Sequence, residues 1–87
     1  MFVILVYDIG VKRVNKVLKT SRKYLNWVQN SVLEGDISET NFKKLKGELL
    51  MIIQPGDDSL IFYTFRSKNY SAREEYGLKK GGNENFL

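Results

Sequence analysis

Near the start of the chain, Phe2-Val3-Ile4-Leu5-Val6-Tyr7 runs six residues without a charge, and most of its members are β-branched or aromatic. A short continuous apolar run of this kind reads as a strand covered on both faces. Such a strand belongs in the middle of a sheet, with neighbours on both edges. It stops at Asp8, and Gly10 follows in a turn.

The rest of the chain supplies the neighbours. Over residues 11–25, Val14, Val17, Leu18, Ser21 and Leu25 form one helical stripe, while Lys12, Arg13, Lys16, Lys19, Arg22 and Lys23 occupy the other faces with no acid among them. Residues 26–37 read as extended, but their alternation breaks: Trp27 and Leu33 share one parity, Val28 and Val32 the other. A bend or tight turn at Asn30-Ser31 reconciles them as two short strands. Ser38 then offers a helix N-cap with Glu39 in the first turn, and Phe42, Leu45, Leu49 and Ile52 predict a second helix to about Ile53. Gln54-Pro55-Gly56-Asp57-Asp58 is the clearest stop-and-turn signal. Residues 59–66 form a second strongly apolar strand, and residues 71–77 a weaker edge strand.

The order strand, helix, split strand, helix, strand predicts a ferredoxin-like βαββαβ α+β sandwich with an additional C-terminal strand, both helices on one sheet face. Residues 2–7 and 59–66 are expected as central neighbours. At 87 residues the chain is one domain, 1–87, with a core over 1–78 and a tail over 79–87. A domain this size buries only about 60–65% of its unfolded surface. The sheet face away from the helices needs a cover, which predicts a homodimer, with the tail docking on the partner.

Composition narrows the chemistry. There is no cysteine, so no disulfide, thiolate metal site or cysteine nucleophile, and no histidine, the commonest general base near neutral pH. Catalysis must rest on carboxylates, hydroxyls, lysines or a hard metal ion held by oxygen. No segment reaches the roughly 18 apolar residues of a membrane span, and the N-terminal run lacks the pattern of a signal peptide, so a cytoplasmic location is expected and no membrane partner.

Asp8 is the first candidate for chemistry. It ends a central strand before a glycine-containing turn, where ligand sites in α/β folds concentrate, although aspartate also serves as an ordinary turn or helix cap there. Magnesium is usually bound by one or two carboxylates, with waters and substrate phosphates completing the shell. No second acid lies near Asp8 in sequence. The simplest source is Asp8 of a twofold-related copy; Glu34, Asp36 and the Asp57-Asp58 pair are alternatives, the last pair reading as solvated turn residues. Lys12, Lys16, Lys19 and Lys23 share one helical face, flanked by Arg13 and Arg22, which suits either phosphates or plain solvation. Most strand aromatics read as core or interface packing, because the aromatic-rich strand of an RNA-recognition motif is absent. Gly81-Gly82 opens no helix, so no phosphate loop is present.

These residues carry a resemblance. Phe-Val-Ile-Leu-Val-Tyr-Asp at 2–8 resembles the first strand of the CRISPR-associated protein 2 family, and Arg13-Val14-Asn15-Lys16-Val17-Leu18 its first helix. Trp27-Val28-Gln29-Asn30-Ser31-Val32-Leu33-Glu34-Gly35 is similar to the family's VQ-x-SVFEG stretch, and Ser59-Leu60-Ile61-Phe62-Tyr63 to its next long strand. Leu33 stands where phenylalanine is usual, and Trp27 where many members have arginine.

The resemblance implies a ferredoxin-like homodimer in which Asp8 faces its twin and binds Mg2+ as the catalytic metal ligand. It implies a metal-dependent endonuclease on single-stranded RNA or, in some members, double-stranded DNA. It also implies a partnership with the larger CRISPR integrase subunit during spacer acquisition, in antiviral defence, where the dimer acts as a scaffold spanning DNA. Lys12, Arg13, Lys16 and Lys19 are the expected nucleic-acid-binding residues. Two other readings stand beside cleavage: a non-catalytic DNA-binding dimer, and a toxin-type endoribonuclease on the same fold.

Overall fold

The computed structural model describes residues 1–67 and 69–78. Seven elements follow in order: β1 (Phe2–Asp8), α1 (Val14–Ser21), β2 (Asn26–Gln29), β3 (Val32–Asp36), α2 (Glu39–Leu50), β4 (Ser59–Ser67) and β5 (Tyr70–Gly77). The strands form one antiparallel sheet in the order β2-β3-β1-β4-β5, the ferredoxin-like arrangement with a fifth strand added beyond β4. The expected central pair is present, with Phe2 opposite Phe65 and Asp8 opposite Ser59.

Strand alternation sorts β1 into two sets. Val3, Leu5 and Tyr7 are buried, together with Leu33, Leu60 and Phe62 of the neighbouring strands, against Val17 of α1 and Phe42, Leu45 and Leu49 of α2. Phe42 and Phe62 meet edge to face at 5.3 Å between centroids, locking α2 onto β4. Both helices therefore lie on one face. Phe2, Ile4 and Val6, with Val32, Ile61 and Tyr63 beside them, point to the other face and are only half-buried; Phe65 remains 40% exposed there. That open face is apolar across its central strands.

Both helices are shorter than the periodicity predicts. The Gly10 carbonyl accepts from the amides of Arg13 and Val14, so α1 starts three residues late. At its other end the Tyr24 and Leu25 amides both return to the Ser21 carbonyl, a tightened turn that delivers Leu25 to the core. Ser38 caps α2 as expected, its hydroxyl accepting from the Asn41 amide at 3.1 Å. α2 ends at Leu50 rather than Ile53, because a residue preceding a proline disfavours the helical region and Gln54 turns its amide elsewhere. Ile53 is still buried, carried in by the turn.

The parity break in residues 26–37 has two causes. Asn30 takes a positive φ of 21° in the β2–β3 turn. The pairing also slips by one residue between Trp27, opposite Leu33, and Gln29, opposite Val32, a bulge at Val28 that a bend alone does not supply. β5 runs from Tyr70 and pairs with β4 to Gly77, one residue longer than expected. The tail over 79–87, expected to dock on a partner, lies outside the described residues. No helix among the described residues is long and apolar enough to cross a membrane.

Candidate metal site and nucleic-acid face

Asp8 closes β1 and is exposed. It follows Phe2, Ile4 and Val6 in the alternation, which assigns it to the open apolar face at the sheet's end. Two of the alternative acids stand elsewhere. Asp36 pairs with Phe2, six residues along β1 and about 20 Å from Asp8 at the usual strand rise. Glu34 lies opposite Ile4, in mid-sheet.

Asp58 departs most from expectation. It reads in sequence as a solvated turn residue, yet its side chain is fully buried. It precedes Ser59, the ladder partner of Asp8. One carboxylate oxygen accepts from the Gly10 amide at 2.7 Å and from Arg13 Nη2 at 2.9 Å. The other accepts from Arg13 Nε at 2.5 Å and from the Gln54 amide at 2.8 Å. Two donors on each oxygen fill the carboxylate's usual capacity, so Asp58 has no lone pair to offer a metal ion. The Arg13 guanidinium, with the two amides, holds the Asp58 carboxyl well below the usual carboxylate range against the opposing effect of burial.

Arg13, the N-cap of α1, is thereby placed differently from Lys12 before it and from Lys16 and Lys19 within the helix. Its guanidinium is a bidentate partner of a buried acid and only partly reached by water. Lys12, Lys16 and Lys19 are exposed. Lys16 and Lys19 line a shallow groove with Asn15, Thr20 and Lys23. An acid does reach this helix, but from outside it: Glu48 of α2 accepts from Lys23 Nζ at 2.6 Å and from the Tyr24 hydroxyl. Arg22 lies over the ring of the half-exposed Trp27, 5.6 Å from its centroid. The phosphate-suited surface thus reduces to Lys12, Lys16 and Lys19, with Lys23 and Arg22 engaged by neighbours.

Among the described residues, no cluster of three or more histidine, cysteine or acidic side chains could hold a metal ion. The chain brings the exposed Asp8 carboxylate to the end of its open face. That donor fits a hard ion that keeps most of its waters and takes further oxygens from phosphate or from a second copy.

The CRISPR associated protein Cas2 family model matches residues 1–73. The chain belongs to the Cas2 family. Two members named CRISPR-associated endoribonuclease Cas2 align with it end to end over 87 residues, covering all of both chains: one from Dictyoglomus turgidum at 52% identity and one from Methanosarcina acetivorans at 45%. A crystal structure of Cas2 superposes with a TM-score of 0.74 at 40% identity, covering 100% of this chain and 98% of that one. The family match and the ferredoxin-like fold expected from the sequence agree.

Two features of this Cas2-family site escape a sequence reading. The pairing of Asp58 has no local signal, since its partner Arg13 lies 45 positions away. The neutralisation of Lys23 by α2 is equally non-local. A single sequence does hold one clue: Asp58 directly abuts an apolar strand, whereas Asp57 stands a residue further out and is exposed.

Proposed function

We propose that this chain works in CRISPR adaptation as a twofold dimer that cleaves RNA phosphodiesters, with Asp8 of each subunit as the residue that would hold Mg2+. The observation that carries the reading is the position of Asp8, exposed at the end of an open apolar sheet face. A second copy covering that face by a twofold axis near the strand end would bring the two carboxylates together. The endoribonuclease name of the relatives supports the reaction class.

The ion, when bound, would neutralise charge on the phosphate and lower the pKa of a water. The chain's own residues do the rest. Asp8 supplies the anionic ligand, and Lys12, Lys16 and Lys19 hold the flanking phosphates as exposed cations. With no histidine in the chain, no side chain is suited to take a proton near neutral pH unaided.

A second reading has its own observation. The lysine face needs no metal to hold a duplex, so the same dimer would serve as a scaffold spanning DNA beside the CRISPR integrase subunit. The deciding experiment is a nuclease assay on single-stranded RNA and duplex DNA, with Mg2+ and with a chelator, on wild type and Asp8→Asn. Cleavage lost in the variant and in chelator, with circular dichroism unchanged, supports the enzyme. Duplex binding without turnover supports the scaffold. Chelator-resistant cleavage that Asp8→Asn leaves intact removes Asp8 from the role of metal ligand.

A further inference from the structure

Asp8 is the last residue of its strand, and the next regular element begins only at Val14. What fixes the intervening segment therefore limits how far the backbone at Asp8 can swing at the strand end. The ladder holds Asp8 through Ser59. The residue before Ser59 holds the other side: the buried Asp58 carboxylate accepts the Gly10 amide, two positions beyond Asp8. Arg13 closes the arrangement, its backbone amide donating to the Gly10 carbonyl at 2.9 Å and its guanidinium forking onto Asp58. Gly10 is thus gripped through both its amide and its carbonyl. A Cβ at Gly10 would stand 2.5 Å from Arg13 Nη2, so any side chain there would have to displace the fork.

We propose that Asp58 and Arg13 are positioning residues that aim the Asp8 carboxylate, by clamping Gly10 from an ion pair whose carboxylate is buried and saturated. The inference rests on the reading of Asp8 as metal ligand and adds to it the pair that makes the ligand rigid. Stability alone is a weak reason for such a pair, because apolar residues of similar volume often replace a buried ion pair without loss. Holding one exposed carboxylate in a fixed direction is a demand that directional donors meet and apolar packing does not. The role parallels that of outer-shell partners of metal ligands, whose loss commonly weakens metal affinity or activity by about 10- to 100-fold.

Two variants test it. Arg13→Lys keeps the charge but replaces the planar fork with a single ammonium. Gly10→Ala keeps both charged residues and displaces the fork. Each is compared with wild type and Asp8→Asn in three measurements on the intact protein: Mn2+ binding followed by electron paramagnetic resonance, hydrogen exchange of the backbone amide at position 10, and Mg2+-dependent cleavage of single-stranded RNA with kcat and KM separated. The expected result is a folded protein with faster amide exchange at position 10, Mn2+ affinity weakened about tenfold or more, and kcat reduced with KM for RNA nearly unchanged. Variants that merely melt at lower temperature, binding Mn2+ as wild type does while Asp8→Asn binds none, overturn the positioning role and leave the Asp8 reading standing. Mn2+ binding that is absent from wild type, or unchanged in Asp8→Asn, overturns the Asp8 reading and the positioning role together.

Discussion

Arg13 and Asp58 lie 45 positions apart in the chain, yet the Arg13 Nε–H donates to the Asp58 carboxylate at 2.5 Å, at the one place where α1, β1 and β4 all begin or end. The pair makes acid sensitivity a specific expectation. A carboxyl held below its ordinary value contributes stability that is fully present above the unfolded value, about 4, and is lost as pH falls towards the folded value. Wild type should therefore lose stability below about pH 4. Asp58→Ala should be less stable at neutral pH by about 3 kcal/mol, the low end for a broken buried pair because Arg13 still meets water, and should show a flatter acid limb. Chemical denaturation from pH 7 down to pH 3 measures both; parallel curves for wild type and variant would assign the acid limb to other groups.

The lysine face predicts a salt effect. Reversing Lys12, Lys16 and Lys19 to glutamate should weaken duplex binding most at low salt. The dependence of log K on log salt should flatten by about 0.9 for each phosphate that is no longer neutralised. Fluorescence anisotropy at several salt concentrations reads the slope. An unchanged slope returns these side chains to plain solvation.

The open sheet face predicts assembly. Ile61 stands in its centre, opposite Val6. Ile61→Glu buries a charge in the proposed interface and should shift the protein to monomer, with loss of any Mg2+-dependent cleavage, while the helix-side core stays folded. Sedimentation velocity on wild type and variant decides it. A monomeric wild type would end the shared-Asp8 site.

Two glycines should respond to alanine in opposite directions. Gly47 lies within α2, exposed, with nothing within 4 Å of a Cβ placed there. Gly47→Ala should stabilise by about 0.5–1 kcal/mol. Gly77 has φ of 90°, and a Cβ there would overlap the Asp58 carbonyl, whose oxygen also accepts the Leu78 amide at 2.7 Å. Gly77→Ala should destabilise by more than about 1 kcal/mol. Thermal melts of the two variants give the signs directly.

What was legible in the sequence was whatever a short window encodes. The apolar run ending at Asp8, the Val14–Leu25 stripe, the Ser38 cap and the Pro55 stop each state their structure locally, and the sheet order follows from placing the two most apolar strands side by side. The Val28 bulge was visible only as a parity break that a bend also explains. Asp58 was misread because the three residues before it, Pro55, Gly56 and Asp57, are turn formers that are exposed in the fold. Its burial depends on a guanidinium arriving from the N-cap of α1 and on two backbone amides, and no window of the chain contains all of them. Asp8 could be found by its place at a strand end, whereas the pair that steadies it could not.

The register that sets Phe2 against Phe65 also governs when the protein becomes competent. β1 finds this central neighbour only after both helices and the β2–β3 hairpin have been made. Closing so long a span carries an entropic cost that local contacts do not repay, so β1–β4 pairing is among the slower steps of folding. The Asp8 end is completed by Asp58 and Ser59 and cannot exist in a half-made chain. A nascent or truncated molecule lacking β4 would therefore lack both the ladder partner of Asp8 and the buried acid that grips Gly10.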